Sequence, residues 1–153
     1  MISISEIIND SVQRVNLNGQ ADIEMEIADN ATHIWADLIQ MRQVLVNLIS
    51  NASQAFEQKG RIVIASALTE NGNFIRLSIM DNGPGIKEDF LEKIFEPLYT
   101  TKAKGTGLGL NICKQIIEKH DGDITISSDP GKGTKVDIIL PYKNEEEMKP
   151  AGD

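Results

Sequence analysis

The chain has one cysteine, Cys113, in 153 residues. That excludes a disulfide framework and a multi-cysteine zinc site. No apolar run approaches the roughly 18 residues that a membrane-spanning helix needs. The N-terminus lacks the basic stretch, long apolar run and cleavage site of a secretory leader. No internal repeat and no low-complexity stretch is present. These absences point to a soluble cytoplasmic domain in a reducing compartment, with no membrane contact of its own, whether or not a longer parent is anchored. Histidine is also scarce, with only His33 and His120.

What is there is ordinary globular composition, 41% hydrophobic and 25% charged. A domain of this length buries roughly 68–70% of its unfolded surface and needs no staple. Fifteen basic residues face 23 acidic ones, a net charge of −8. That field opposes nucleic acid as a partner. It also opposes free nucleotides, an objection that any nucleotide reading has to meet. Residues 143–153 are acidic and nearly devoid of large apolar side chains, and read as a disordered tail. The folded unit is expected over 1–142.

The periodicity predicts a first helix capped by Ser3 or Ser5 and running to about Val15, then a half-buried strand over 22–27. A short segment at His33–Trp35 is expected to be that strand's hairpin partner. Asp37 caps a long helix reaching about Phe56. Strands over 61–68 and 74–80 flank the turn Glu70-Asn71-Gly72-Asn73. A short helix is expected near 88–94 and a longer one from about Thr106 to His120. Strands over 123–128 and 134–140 close the unit. The expected class is α+β, a two-layer sandwich of a mixed sheet on three helices.

Four segments carry candidate chemistry. Asn47 and Asn51 lie one turn apart on the long helix, with Gln43 and Gln54 near them. Asparagine is a poor mid-helix residue, so these amides either form a solvated face or aim their carbonyl oxygens at a metal or a phosphate-bound water. Asp81-Asn82-Gly83-Pro84-Gly85-Ile86 follows a strand. It is either a plain turn closed by an Asx bond or a carboxylate placed to accept from an exocyclic amine. Thr100-Thr101-Lys102-Ala103-Lys104-Gly105-Thr106-Gly107-Leu108-Gly109-Leu110 opens a helix with free N–H groups. That suits an anion, yet the run matches neither the P-loop nor the dinucleotide fingerprint. Gly131-Lys132-Gly133-Thr134 is a hairpin loop entering the last strand.

In this order the four segments resemble the ATP-binding catalytic domain of sensor histidine kinases, of the superfamily shared with gyrase, Hsp90 and MutL. Asn-Ala-Ser-Gln-Ala and Phe-Glu-Pro-Leu-Tyr-Thr-Thr-Lys are most similar to the nitrogen-regulator-type branch. The resemblance covers about residues 1–142 and implies the Bergerat-type ATP-binding fold. It implies that Asn51 ligates Mg²⁺ with Asn47 in support, and that Asp81 accepts from the adenine amino group, with Thr134 helping to hold a water. It implies that Gly83 and Gly85 let the backbone lie against the base, between Ile86 and Leu110. The stretch from about Phe95 to Thr106 would be a mobile ATP lid. Thr100, Thr101, Gly105 and Thr106 belong to that phosphate-side loop, and Gly107, Leu108, Gly109 and Leu110 would offer N–H groups to the phosphates.

Two departures modify the expectation. Gln54 stands where many relatives carry a cation, which leaves Lys102, with Lys104 near it, to meet the γ-phosphate as the catalytic cation. Asn47 stands where ATP-hydrolysing relatives carry glutamate, and an amide cannot take a proton from water. Neither His33 nor His120 lies in the family's phosphoacceptor context, so structural roles are expected for both. His120 is expected at a helix C-terminus, where a cation would suit the dipole. The resemblance thus implies a histidine kinase catalytic domain that does not phosphorylate itself alone. Its acceptor would be a histidine on a separate dimerisation hairpin of the same protein, and a response-regulator receiver would follow. The alternatives are an anti-sigma-type serine kinase, against which Asn47 argues, and a non-catalytic ATP-sensing module.

Overall fold

A computed structural model describes residues 1–97 and 109–143. The chain opens with β1 (Ile2–Ser3) and α1 (Ile4–Arg14). Ser3 caps α1 through its hydroxyl, which accepts from the Glu6 N–H at 3.4 Å. Ile4, Ile7 and Ile8 form its buried stripe. Ser11 is buried among them and donates to the Ile7 carbonyl at 2.7 Å, which satisfies its hydroxyl. Next come β2 (Ala21–Ile27), β3 (His33–Ile34) and α2 (Leu38–Gln54). Asp37 caps α2 by accepting from the Gln40 N–H at 2.8 Å. Asp10 of α1 lies between Arg14 and Arg42, pinning α1 to α2. The Arg14 hydrogen bond, with help from Arg42, holds the Asp10 carboxyl below its ordinary range.

The second half contains β4 (Gly60–Leu68), β5 (Phe74–Asp81), the one-turn α3 (Glu88–Leu91), α4 (Gly109–Lys119), β6 (Asp123–Asp129) and β7 (Gly133–Pro141). Five strands form one mixed sheet in the order β2-β4-β5-β7-β6. β2 and β4 run parallel, joined across α2, and the other pairs are antiparallel. Alternation turns Ile62, Ile64, Ile75, Leu77, Ile79, Ile138 and Leu140 to one face, where they meet Val44, Leu45, Leu48, Ile49, Cys113 and Ile117. Each large side chain buried there contributes roughly 1.5–3 kcal/mol. The opposite face exposes Asp22, Glu24, Arg61, Arg76, Thr125 and Ser127. The two-layer sandwich on three long helices is the expected architecture. No helix among the described residues is long and apolar enough to cross a membrane.

One expected pairing is overturned. The His33–Trp35 segment is not the hairpin partner of 22–27. His33–Ile34 pairs antiparallel with Ile2–Ser3 in a separate two-stranded sheet. The cause lies in the turn between them. The Ala28 N–H donates to the Ser66 carbonyl at 3.1 Å, and the Ser66 hydroxyl donates to the Ala31 carbonyl at 2.7 Å. These bonds draw the chain back over β4 and off the sheet edge before it can fold on β2. The short helix is also shorter than expected, ending at Leu91 rather than near 94.

Candidate functional site

The sheet's helix-facing side continues beyond the core to a polar end. In the β5–β7 ladder Ile79 opposes Val136, and one step of two residues further Asp81 opposes Thr134. Both side chains are half-buried and share the face that carries the core. The Asp81 carboxylate accepts from the Gly83 N–H at 2.9 Å, so the Asx turn is present. Gly83 is buried against the end of α2, where a Cβ would lie 3.0 Å from Asp81 Oδ1 and 3.6 Å from Ala55 and Phe56.

The loop after Asp81 is tied to the β6–β7 turn at several points. Gly131 N–H donates to the Pro84 carbonyl at 2.7 Å. Ile86 N–H donates to the Ser128 hydroxyl at 2.7 Å. Ser128 donates to the Gly133 carbonyl at 3.0 Å and lies 2.8 Å from the Thr134 hydroxyl. Asn82 accepts from the Arg61 N–H at 2.7 Å, which fixes the loop to β4 as well. Gly85 has φ +77 and approaches the Asp129 carbonyl, 2.5 Å from where a Cβ would stand. Its freedom therefore serves this junction. Ile86 is half-buried beside it.

Asn47 and Asn51 are half-buried on α2, the helix layer above that sheet. The Asn47 amide donates to Cys113 Sγ at 3.8 Å, and the Cys113 thiol lies 3.9 Å from the Val44 carbonyl. Burial pushes this thiol up to about 11, so it stays neutral. A Cβ on Gly109 would lie 3.9 Å from the same amide, so the start of α4 meets Asn47. Leu110 is half-buried and packs against the core. Gln54 stays exposed, with its amide donating to Ser50 Oγ at 3.0 Å. The structure thus brings Asn47, Gly109 and Leu110 together, and separately Asp81, Gly83, Gly85, Ile86 and Thr134. Thr100, Thr101, Lys102, Lys104, Gly105, Thr106, Gly107 and Leu108 lie outside the described residues, as does the tail from 144 to 153.

Phe95 is held by α4 on two counts. Asn111 donates to its carbonyl at 3.0 Å, and Lys114 stands 5.4 Å from its ring centroid. His120 joins two helices. Its Nδ1 donates to the Ile116 carbonyl at 2.7 Å, and its Nε2 accepts from the Asp37 N–H at 3.0 Å. The ring is thus a clasp between α4 and the start of α2, a structural role. His33 is exposed and bonds to its neighbour Thr32.

Ser128 and Asn111 escape motif reading, and Gly133 is legible there only as part of a hairpin loop. Gly133 has φ +123, and a Cβ there would fall 1.9 Å from the Asp81 carbonyl oxygen. The doubled Gly-x-Gly before Thr134 is the only trace of this in the sequence. Ser128 and Asn111 leave none, because their partners are distant along the chain.

Residues 36–144 match the family described as "Histidine kinase-, DNA gyrase B-, and HSP90-like ATPase". The sensor histidine kinase ZraS of Escherichia coli K12 is 40% identical over 143 residues, 92% of this chain and 30% of that protein. Sporulation kinase E of Bacillus subtilis is 34% identical over 151 residues, 95% of this chain and 20% of that one. The chain thus spans less than a third of the length of these curated relatives. Among solved structures, a mycobacterial sensor histidine kinase, MprB, matches with a TM-score of 0.81 at 27% identity, over 92% of this chain and 95% of that one. The nucleotide-free catalytic domain of histidine kinase ThkA matches at 0.78 and 33%, over 92% and 93%. The chain therefore belongs to the histidine kinase-, DNA gyrase B- and HSP90-like ATPase family, as a catalytic domain of the histidine kinase kind.

Proposed function

We propose that this domain binds Mg–ATP between α2 and the polar end of the sheet and donates the γ-phosphoryl group to a histidine on a dimerisation hairpin of the same protein. The observation that supports this reading is the juxtaposition of Asp81 and Thr134 in register, half-buried at the polar end of the sheet face that carries the core. Asp81 receives the adenine amino group, partly through water held with Thr134. Gly83 and Gly85 form the floor of the base site, with Ile86 and Leu110 on its apolar walls. Gly107, Leu108 and Gly109 offer N–H groups to the phosphates, together with the Thr100–Thr106 loop. Gln54 lies at the phosphate side of α2.

The donor set fits Mg²⁺. Among the described residues no group of three or more His, Cys, Asp or Glu side chains is placed to hold a metal. An amide oxygen from Asn51 suits a hard cation that takes its remaining oxygens from phosphate and water. When bound, Mg²⁺ neutralises phosphate charge, which answers the objection raised by the net −8. Asn47 supports Asn51 one turn earlier and, as an amide, provides no base for water. Hydrolysis is therefore slow, and the phosphoryl group is kept for the acceptor. Lys102, with Lys104, supplies the cation at the γ-phosphate. The accepting nucleophile lies on the hairpin, and an aspartate of a response-regulator receiver takes the group afterwards.

Calorimetric titration tests the reading. Asn51→Ala weakens Mg–ATP by about tenfold or more and leaves Mg-free ATP nearly unchanged. Asp81→Asn weakens ATP in both conditions by about 10- to 100-fold, the worth of a hydrogen bond to a charged group. Equal losses with and without Mg²⁺ for Asn51→Ala would remove its metal role, and unchanged ATP affinity for Asp81→Asn would remove the adenine assignment.

A further inference from the structure

Ser128 belongs to none of the motifs, yet it is the junction of the base end of the site. Its Oγ has one proton and two lone pairs. The Ile86 N–H, 2.7 Å away, can only donate. The Gly133 carbonyl, 3.0 Å away, can only accept, so it takes the one proton that Ser128 owns. One lone pair remains for the third neighbour, the Thr134 hydroxyl at 2.8 Å. Full satisfaction of the junction then has a single solution, in which Thr134 spends its proton on Ser128. Thr134 has only lone pairs to offer a ligand. Asp81, opposite it in the ladder and accepting from the Gly83 N–H, is likewise an acceptor. The two strand ends together present acceptors and no side-chain donor. A 6-amino purine, or a water bridged to it, suits that arrangement. A 6-oxo purine would set its O6 against these acceptors and leave only its N1–H to donate to them.

We propose that Ser128 is a positioning residue that holds the Thr134 hydroxyl as an acceptor and thereby sets the preference for 6-amino over 6-oxo purine nucleotides. The inference rests on the assignment of Asp81 and Thr134 to the adenine site. Replacing Ser128 frees the Thr134 rotor, which can then turn its proton toward a 6-oxygen.

The test is the ratio of ATP to inosine triphosphate affinities, measured by calorimetry with Mg²⁺ on this chain and its variants. Ser128→Ala reduces the ratio by about tenfold. Ser128→Thr keeps the hydroxyl and keeps the ratio within about twofold. Thr134→Val reduces the ratio too, and adding Ser128→Ala to it changes the ratio no further, because both act through one proton. A merely structural Ser128 would weaken both nucleotides equally and leave the ratio intact, and that result overturns the proposal. So does a double variant whose ratio falls by the product of the single effects. Should Ser128→Ala not fold, Ser128→Cys, a weak acceptor of similar size, is read in the same way. Asp81→Asn separates the two levels. If it lowers ATP affinity while Ser128→Ala spares the ratio, only the Ser128 role fails. If it has no effect on ATP, the adenine assignment fails and this inference falls with it.

Discussion

The two ends of the sheet each turn on glycine, and they use it differently. At one end the β4–β5 turn closes on itself. Gly72 takes φ +70 with nothing within 4 Å of a would-be Cβ. The bonds of Thr69 to Asn71 and Phe74 are local, and a long-range bond at this end of the sheet runs from the Tyr142 N–H to the Asn73 carbonyl at 2.8 Å. At the other end the β6–β7 turn is fastened to the loop after Asp81 by bonds that span more than forty residues. Gly133 there faces a backbone carbonyl at a distance no side chain tolerates. A glycine that serves only its own turn marks a connection. A glycine that lets two distant segments touch marks a junction between them.

Substitutions that separate the ends give graded outcomes. The largest is Gly133→Ala, which combines φ +123 with a 1.9 Å overlap on backbone. It is expected to cost about 3 kcal/mol or more in urea unfolding and to abolish measurable ATP binding. Between the two ends lies Cys113, whose neutral thiol favours the fold. Its pKa rises from an ordinary 9.0 to about 11, so this stability is whole below pH 9 and drains as pH climbs toward 11. Wild type should therefore lose roughly 2–3 kcal/mol more over that interval than Cys113→Val. Equal alkaline losses would show that the thiol does not carry the difference.

Smaller effects belong to the end away from the site. His120→Ala removes the clasp between α4 and the start of α2. A loss of about 1–2 kcal/mol in denaturant midpoint, with ATP affinity kept within about twofold, is expected. A large affinity loss would mean that the clasp acts on the site through the helix pair. Gly72→Ala is the mildest, at about 1 kcal/mol for a left-handed alanine in open space. Its nucleotide binding should be that of wild type, measured alongside Gly133→Ala.

Legibility in the sequence divides along the same line. Helix stripes such as Ile4, Ile7 and Ile8, caps such as Asp37, and alternating strands are local patterns, and each falls where periodicity puts it. β1 and β3 have two residues each, too few to show a period, and their pairing depends on Ser66 pulling the intervening turn away. Asp81 and Gly85 stand out by residue type, whereas Thr134 gains a role only in company with the other segments. Ser128 does not stand out, because a serine in a serine pair has no pattern, and its partners Ile86 and Thr134 come from separate stretches of chain. The clasp made by His120 depends on a backbone N–H 83 residues away.

β2 has one further consequence, in the crowded state in which such chains are made. It is the outermost strand on its side, with β4 as its only partner in the sheet. An open strand edge is a template for another copy's backbone. Here every second side chain on the outer face is a carboxylate, Asp22, Glu24 and Glu26, and all three are exposed. Lys59 lies 2.9 Å from Asp22 and Arg61 3.7 Å from Glu24, so the edge carries a row of hydrated charges of both signs. Two copies meeting edge to edge would have to strip water from that row before any ladder formed, which keeps the open edge of the sheet from recruiting its own kind.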